Sequence, residues 1–231
     1  MFFVFVIPTK HSIAQQGIEL GAQAGVSYYI GDINLHKHFY SPNVNIGGFF
    51  KFHFDKRSVL RLGAFYTELS AADKDFKNQF QQLRNHSFKM SLVEINLMYE
   101  VHFLPYLHGS KRKESFTPYL QLGLATYISS SLEKKANLAI PIGVGIKKNL
   151  TARLVLGVEW SFRKTFSDYL DSLSGEDIGI YDINKGIAPE EENTQKQKAT
   201  RYTKDWYSMA CVTLSYTFKV GGLTCKAYYN Y

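Results

Sequence analysis

About eight times along the chain, a stretch of ten or more residues sets a large apolar side chain at every second position, with small, glycine or charged residues between. A strand turns successive side chains to opposite faces, whereas the apolar stripe of a helix recurs every three to four residues. Ile18, Leu20, Ala22, Ala24, Val26 and Tyr28 form one apolar row against Glu19, Gly21, Gln23, Gly25, Ser27 and Tyr29. Val93, Ile95, Leu97, Tyr99, Val101 and Phe103 oppose Glu94, Asn96, Met98, Glu100 and His102. Leu138, Ile140, Ile142, Val144 and Ile146 alternate with Ala139, Pro141, Gly143, Gly145 and Lys147. Trp206, Ala210, Val212, Leu214, Tyr216 and Phe218 face away from Tyr207, Met209, Cys211, Thr213, Ser215 and Thr217. Long strands with one wholly apolar face are the building unit of a membrane-spanning barrel.

Past the N-terminus the chain has no run of about 18 apolar residues, which excludes a transmembrane helix. A closed barrel is then the one structure that can satisfy its backbone inside lipid. The 231 residues fit one domain. Met1 to Ile7 resembles the apolar part of a secretory signal, with Ser12-Ile13-Ala14 as a small-residue cleavage site. No basic residue precedes it, so residues 1–14 are read as a signal peptide shortened at its start, the alternative being an apolar first strand. Residues 15–219 are read as the barrel and 220–231 as a tail. The net charge of +7 is spread over loops and one strand face, which argues against nucleic acid. The two cysteines, Cys211 and Cys225, have no metal-ligand spacing.

The expected strands are 18–29, 43–54, 59–68, 88–103, 116–128, 138–147, 153–163 and 205–218. Segments 30–42, 69–87, 129–137 and 164–204 follow the odd-numbered strands, while only Asp55 to Ser58 and Lys148 to Ala152 follow the second and sixth. Outer-membrane barrels have long outer loops and short periplasmic turns, so both termini are expected in the periplasm. The connection 104–115 is the exception, being longer than a tight turn. The fold class is therefore all-β, a single transmembrane eight-stranded antiparallel up-and-down barrel. The competing architecture is a secreted soluble β-barrel with the apolar row inside.

In the membrane barrel the polar row lines the lumen and holds Glu19, Lys51, Arg61, Glu94, Glu100, Gln121, Arg153, Glu159 and Arg163. Eight strands leave room only for side chains, so these groups are expected to pair across the lumen. Aromatic girdles are expected from Tyr28, Tyr66, Trp160, Phe162 and Trp206 at the outer ends, and from Phe50, Phe52, Phe54, Phe103, Phe116, Tyr216 and Phe218 at the inner ends. Pro141 inside a strand removes a ladder bond.

No cofactor, metal or catalytic residue is expected. His36-Lys37-His38 is a weak metal hint. A rim hydrolase acting on lipid, the enzymatic alternative, would draw on His86, Ser87 and Glu68, a trio that chance also provides.

The chain resembles the PorG-type outer-membrane barrels of the Bacteroidetes type IX secretion system. The resemblance is carried by Tyr28-Tyr29-Ile30-Gly31-Asp32-Ile33-Asn34, Phe116-Thr117-Pro118-Tyr119, the segment Ile140 to Lys147, the segment Glu159 to Asp171, Asp205-Trp206-Tyr207 and Leu214 to Phe218. It implies a non-enzymatic component of a protein secretion machine, one that ties the outer membrane to a periplasmic ring. The implied partners are a ring lipoprotein and a ring-forming protein, besides outer-membrane lipid. The contact candidates are inner-side elements, namely 104–115 with Lys111, Arg112 and Lys113, the turn around Lys56 and Arg57, and the tail. Cys225 is expected to bridge a partner, with an internal bridge to Cys211 as the alternative. Arg163, Lys164, Asp168 and Asp171 are expected to pair as a cap at the base of the 164–204 loop.

Overall fold

Alternation of period two is realised as eight long strands. The structure, a computed structural model, describes residues 17–31, 33–34, 37–77, 87–107, 114–130, 136–166 and 205–219. The strands are β1 (Gly17–Ile30), β2 (Asn43–His53), β3 (Ser58–Ala72), β4 (Ser87–His102), β5 (Phe116–Ser129), β6 (Ala136–Asn149), β7 (Leu154–Thr165) and β8 (Trp206–Lys219). Each pairs antiparallel with its sequence neighbours, and β1 pairs with β8 from Gly17↔Lys219 to Ile30↔Trp206. The sheet closes on itself and keeps no unpaired edge.

The two tight connections are built from polar side chains that satisfy the turning backbone. Between β2 and β3, Asp55 Oδ1 accepts from the Arg57 N–H at 2.6 Å and the Ser58 N–H at 2.8 Å. Between β6 and β7, Thr151 Oγ1 accepts from the N–H of Arg153 at 3.2 Å and of Leu154 at 2.9 Å. Both are side-chain turns of the Asx and ST type. They lie at the barrel end that also carries Gly17 and Lys219, called here the terminus end. The opposite, loop end is where β3 runs four residues past its expected end at 68, with rungs continuing from Leu69↔Met90 to Ala72↔Ser87.

The apolar row faces outward on every strand. Leu20, Ile46, Leu62, Ile95, Leu97, Leu122, Val144, Val158 and Val212 are exposed, and Leu124 reaches 68%. The polar row is buried. That inversion rules out the soluble barrel with an apolar interior and fits a hydrocarbon solvent, where side chains outside must be apolar and the backbone must pair internally. Where strands approach most closely only glycine fits. A Cβ at Gly25 would stand 2.1 Å from the Ala210 carbonyl oxygen, and one at Gly123 2.1 Å from that of Leu97. Pro141 has a local cost only: the β5–β6 register is the same at Leu122↔Ile142 and Ala125↔Ala139, and the ladder simply skips the rungs between.

Candidate functional site

Because the outer wall is uniformly apolar, specific chemistry resides in the lumen and at the two rims. The lumen is filled in two ways. At the loop end Tyr29, Leu69, Met90, Leu92, Tyr127, Tyr207 and Met209 form an apolar cluster, with Ile33 of the β1–β2 loop packed into it. At the terminus end the contents are charged. Lys51 Nζ lies 2.8 Å from Glu100 Oε1 and Lys147 Nζ 3.3 Å from Glu100 Oε2. Nearer the middle, the Arg61 guanidinium reaches across from β3 to β7, 2.7 Å from Glu159 Oε2, and donates to Gln23 Oε1. Tyr119 donates to Glu159 at 2.9 Å. Glu19 takes His53 Nε2 at 3.0 Å and the Ser215 hydroxyl. Higher up, at the border with the apolar cluster, Glu94 holds Arg163 Nε at 3.3 Å and the Tyr207 hydroxyl at 2.6 Å. Lys51, Arg61, Lys147 and Arg163 thus balance Glu19, Glu94, Glu100 and Glu159, all of them buried. Charges taken out of water are tolerable only when so paired.

The terminus end is closed by chain that the alternation does not describe. After β4 the chain leaves the ladder with Phe103 and Leu104 exposed, and Tyr106 turns inward. The Tyr106 N–H donates to the Lys56 carbonyl at 3.0 Å, and the Leu107 N–H to that of Glu114 at 2.9 Å. The Tyr106 side chain is buried, donates to Asn149 Oδ1, and lies between the His102 ring and the Lys147 ammonium, 5.0 Å from its centroid. Burial, then the carboxylates of Glu19 and Glu100, push its phenol up. Outside, Lys56 pairs with Glu114 at 2.9 Å, tying this connection to the β2–β3 turn. At the loop end Tyr40 donates to Asp75 at 2.6 Å, and burial together with that bond pushes its phenol up to about 12.

Of the residues expected in the lumen, Glu19, Lys51, Arg61, Glu94, Glu100, Gln121, Glu159 and Arg163 are buried there. Arg153 is not. It belongs to the turn before β7, is exposed, and donates through Nη1 to the Tyr216 hydroxyl at 2.7 Å on the outer wall. The expected loop cap also needs correction at Arg163, whose guanidinium lies inside with Glu94 and Ser161 and does not sit at the rim. Lys164 is exposed over the Trp206 ring. Asp168 and Asp171 lie outside the described residues, as do residues 1–16, Lys111, Arg112, Lys113 and Cys225. Cys211 is a free, buried thiol that donates to Asn45 Oδ1 at 3.1 Å.

Sequence reasoning passed over Lys147, His53 and His102, which share the lumen row, and Tyr106, which has no periodic signal. In the girdle, Tyr28 is buried and not lipid-exposed. Phe39, with left-handed backbone at φ 58°, and His38 cover it, while Trp160 Nε1 donates to its hydroxyl and to Ser208 at 3.0 Å each. The hydrolase trio is not assembled. Ser87 is level with Ala72 and Glu68 with Ser91, so the two are about 13 Å apart along the strands. Glu68 is bonded to the Tyr66 hydroxyl and paired with Lys89, and His86 lies outside the described residues. Among the described residues no three His, Cys, Asp or Glu side chains converge as a metal site, and His36 is outside them.

Residues 1–227 match the model of a family described as a domain of unknown function, DUF6089. None of the curated proteins matches the chain. Among solved structures it is similar to the N-terminal β-barrel domain of Pseudomonas aeruginosa OprF, at 14% identity and a TM-score of 0.44 over 87% of this chain and 97% of that one. It is also similar to Neisserial surface protein A, at 10% identity and a TM-score of 0.47 over 89% and 98%. A third is Ail, the attachment invasion locus protein of Yersinia pestis, at 9% identity and a TM-score of 0.46 over 88% and 99%.

Proposed function

The chain belongs to the DUF6089 family, and we propose that it is a non-enzymatic scaffold of the bacterial outer membrane, a barrel component of a type IX secretion machine that anchors or aligns a periplasmic ring. The observation that carries this reading is the closed lumen. Paired charges fill the barrel from Glu19 to Arg163 and Tyr106 lies across the terminus-end mouth, which leaves surfaces, and not a pore, as the means of action. The resemblance to PorG-type barrels supplies the identity of the machine. In this reading the terminus end faces the periplasm. Its platform is the two described ends of the β4–β5 connection, 103–107 and 114–115, bonded to the β2–β3 turn through Tyr106, Lys56 and Glu114, with Phe103 and Leu104 exposed. The partners are the ring lipoprotein and the ring-forming protein.

The test is photo-crosslinking in intact envelopes from Leu104 and Arg57. The expected result is capture of a periplasmic lipoprotein and of the protein that forms the ring with it. Recovery of no periplasmic partner, together with lipid hydrolysis by the purified barrel, would reverse the order between scaffold and rim enzyme.

A further inference from the structure

At the loop end Lys89 lies 3.6 Å from Glu68, Lys37 sits over the rings of Tyr40 and Phe76, and Lys164 over that of Trp206. At the terminus end Lys56 is paired with Glu114, but Arg57, Lys148 and Arg153 have no carboxylate partner among the described residues.

Two of these three flank one strip of wall. Lys148 ends the outward row of β6 opposite Leu156 of β7, and Leu154 of β7 stands opposite Tyr216 of β8. Lys148 is level with Leu156 and Leu214, and Tyr216 lies two residues further toward the terminus end, so the two are about 12 Å apart across β7, at roughly 4.8 Å per strand and 3.4 Å per residue. Two long basic side chains can close that gap onto a single anion. Arg153 is already aimed by its 2.7 Å bond to the Tyr216 hydroxyl, and Tyr216 packs on Phe218, 4.9 Å between centroids. That aromatic pair sits in the girdle and marks the depth of lipid headgroups. Level with Lys148 and then above it, toward the membrane centre, Leu156 and Val158 are exposed and apolar.

We propose that the outer face of β7 at the terminus end is a phosphoglyceride site. The phosphodiester is held between the Lys148 ammonium and the Arg153 guanidinium, and an acyl chain lies over Leu156 and Val158. A guanidinium fork suits phosphate oxygens, and at headgroup depth the lipid phosphate is the anion at hand. The site follows from the transmembrane fold and makes no use of the secretion role.

The test uses the full-length barrel in uncharged detergent, mixed either with phosphatidylglycerol or with diacylglycerol of the same chains, and native mass spectrometry to count retained lipid. Wild type retains phosphatidylglycerol in preference to diacylglycerol. Arg153→Gln and Lys148→Gln each lower that retention about tenfold, the loss expected for one charge-assisted contact, while Lys89→Gln at the other rim leaves it unchanged. Equal retention of the two lipids, or wild-type retention by the Arg153→Gln/Lys148→Gln double variant, would overturn the site. Displacement of the lipid by inorganic phosphate would overturn it too, by reassigning the cations to a free anion. Heat-modifiable gel migration of each variant checks the barrel separately, so that loss of the site is distinct from loss of the fold.

Discussion

The two halves of the lumen solve one packing problem by opposite means. The loop-end half is filled like a soluble core, with Leu69, Met90, Leu92 and Met209 among tyrosines. The terminus-end half is filled with lysines, arginines and glutamates that neutralise one another. An apolar filling tolerates small errors because its cost scales with the volume lost. A charged filling is all or nothing, since removing one partner strands the other in a dry interior. The difference teaches that the charged half fixes which strands face each other, while the apolar half mainly excludes water.

Glu100 is the sharpest place to break that contrast, because Lys51 and Lys147 both depend on it. Glu100→Ala should cost roughly 3–5 kcal/mol, read from the urea midpoint of the folded band in gel-shift titrations. A cost below that of an apolar truncation would mean the network is dispensable. In the other half, Leu69→Ala should cost about 2–5 kcal/mol in the same assay, and a smaller linear cavity at that position should cost proportionally less. The outer wall supplies the control: Leu97→Arg is expected to cost about 2–4 kcal/mol if Leu97 lies at the bilayer midplane. A variant that keeps wild-type heat stability in lipid would overturn the assignment of faces. Smallest of all, Tyr106→Phe should cost about 1 kcal/mol by removing one hydrogen bond to Asn149. Hydrogen exchange at the Leu107 and Asn149 amides should rise in that variant while exchange in β1 does not.

The strands and their faces were legible because a period of two survives any twist or tilt, and the observed β1, β2, β5 and β8 end within about two residues of the expected boundaries. Parity failed where the strand stopped. Arg153 occupies an odd position, like Val155 and Glu159, and so was read as inward, yet the Thr151 turn precedes β7 and releases it outward. For Arg163 parity was right, and it rules out the rim cap, because a side chain on the inward row of β7 points away from loop acids. Lys147 was on the inward row as well, at the last position of the expected strand 138–147, and was left out of the expected lumen set. Tyr106 could not have been found this way. Its place depends on a connection folding back through the Lys56 carbonyl, and nothing local in Leu104-Pro105-Tyr106 encodes that.

The ladder between β1 and β8 joins residue 17 to residue 219, and this fixes an order of events. Every other ladder links strands that follow one another, so six pairings can form as the chain is delivered, but the β7–β8 pairing and the seam must both wait for Trp206 to Lys219. Until then Gly17–Ile30 and Leu154–Thr165 are two open edges, each with an apolar face, and such edges recruit other chains. The last strand is therefore a timing element. A chain stopped short of it would hold nearly all of its local pairings and still be an aggregation template, so quality control for this protein has to act on the completeness of its end and not on the content of its middle.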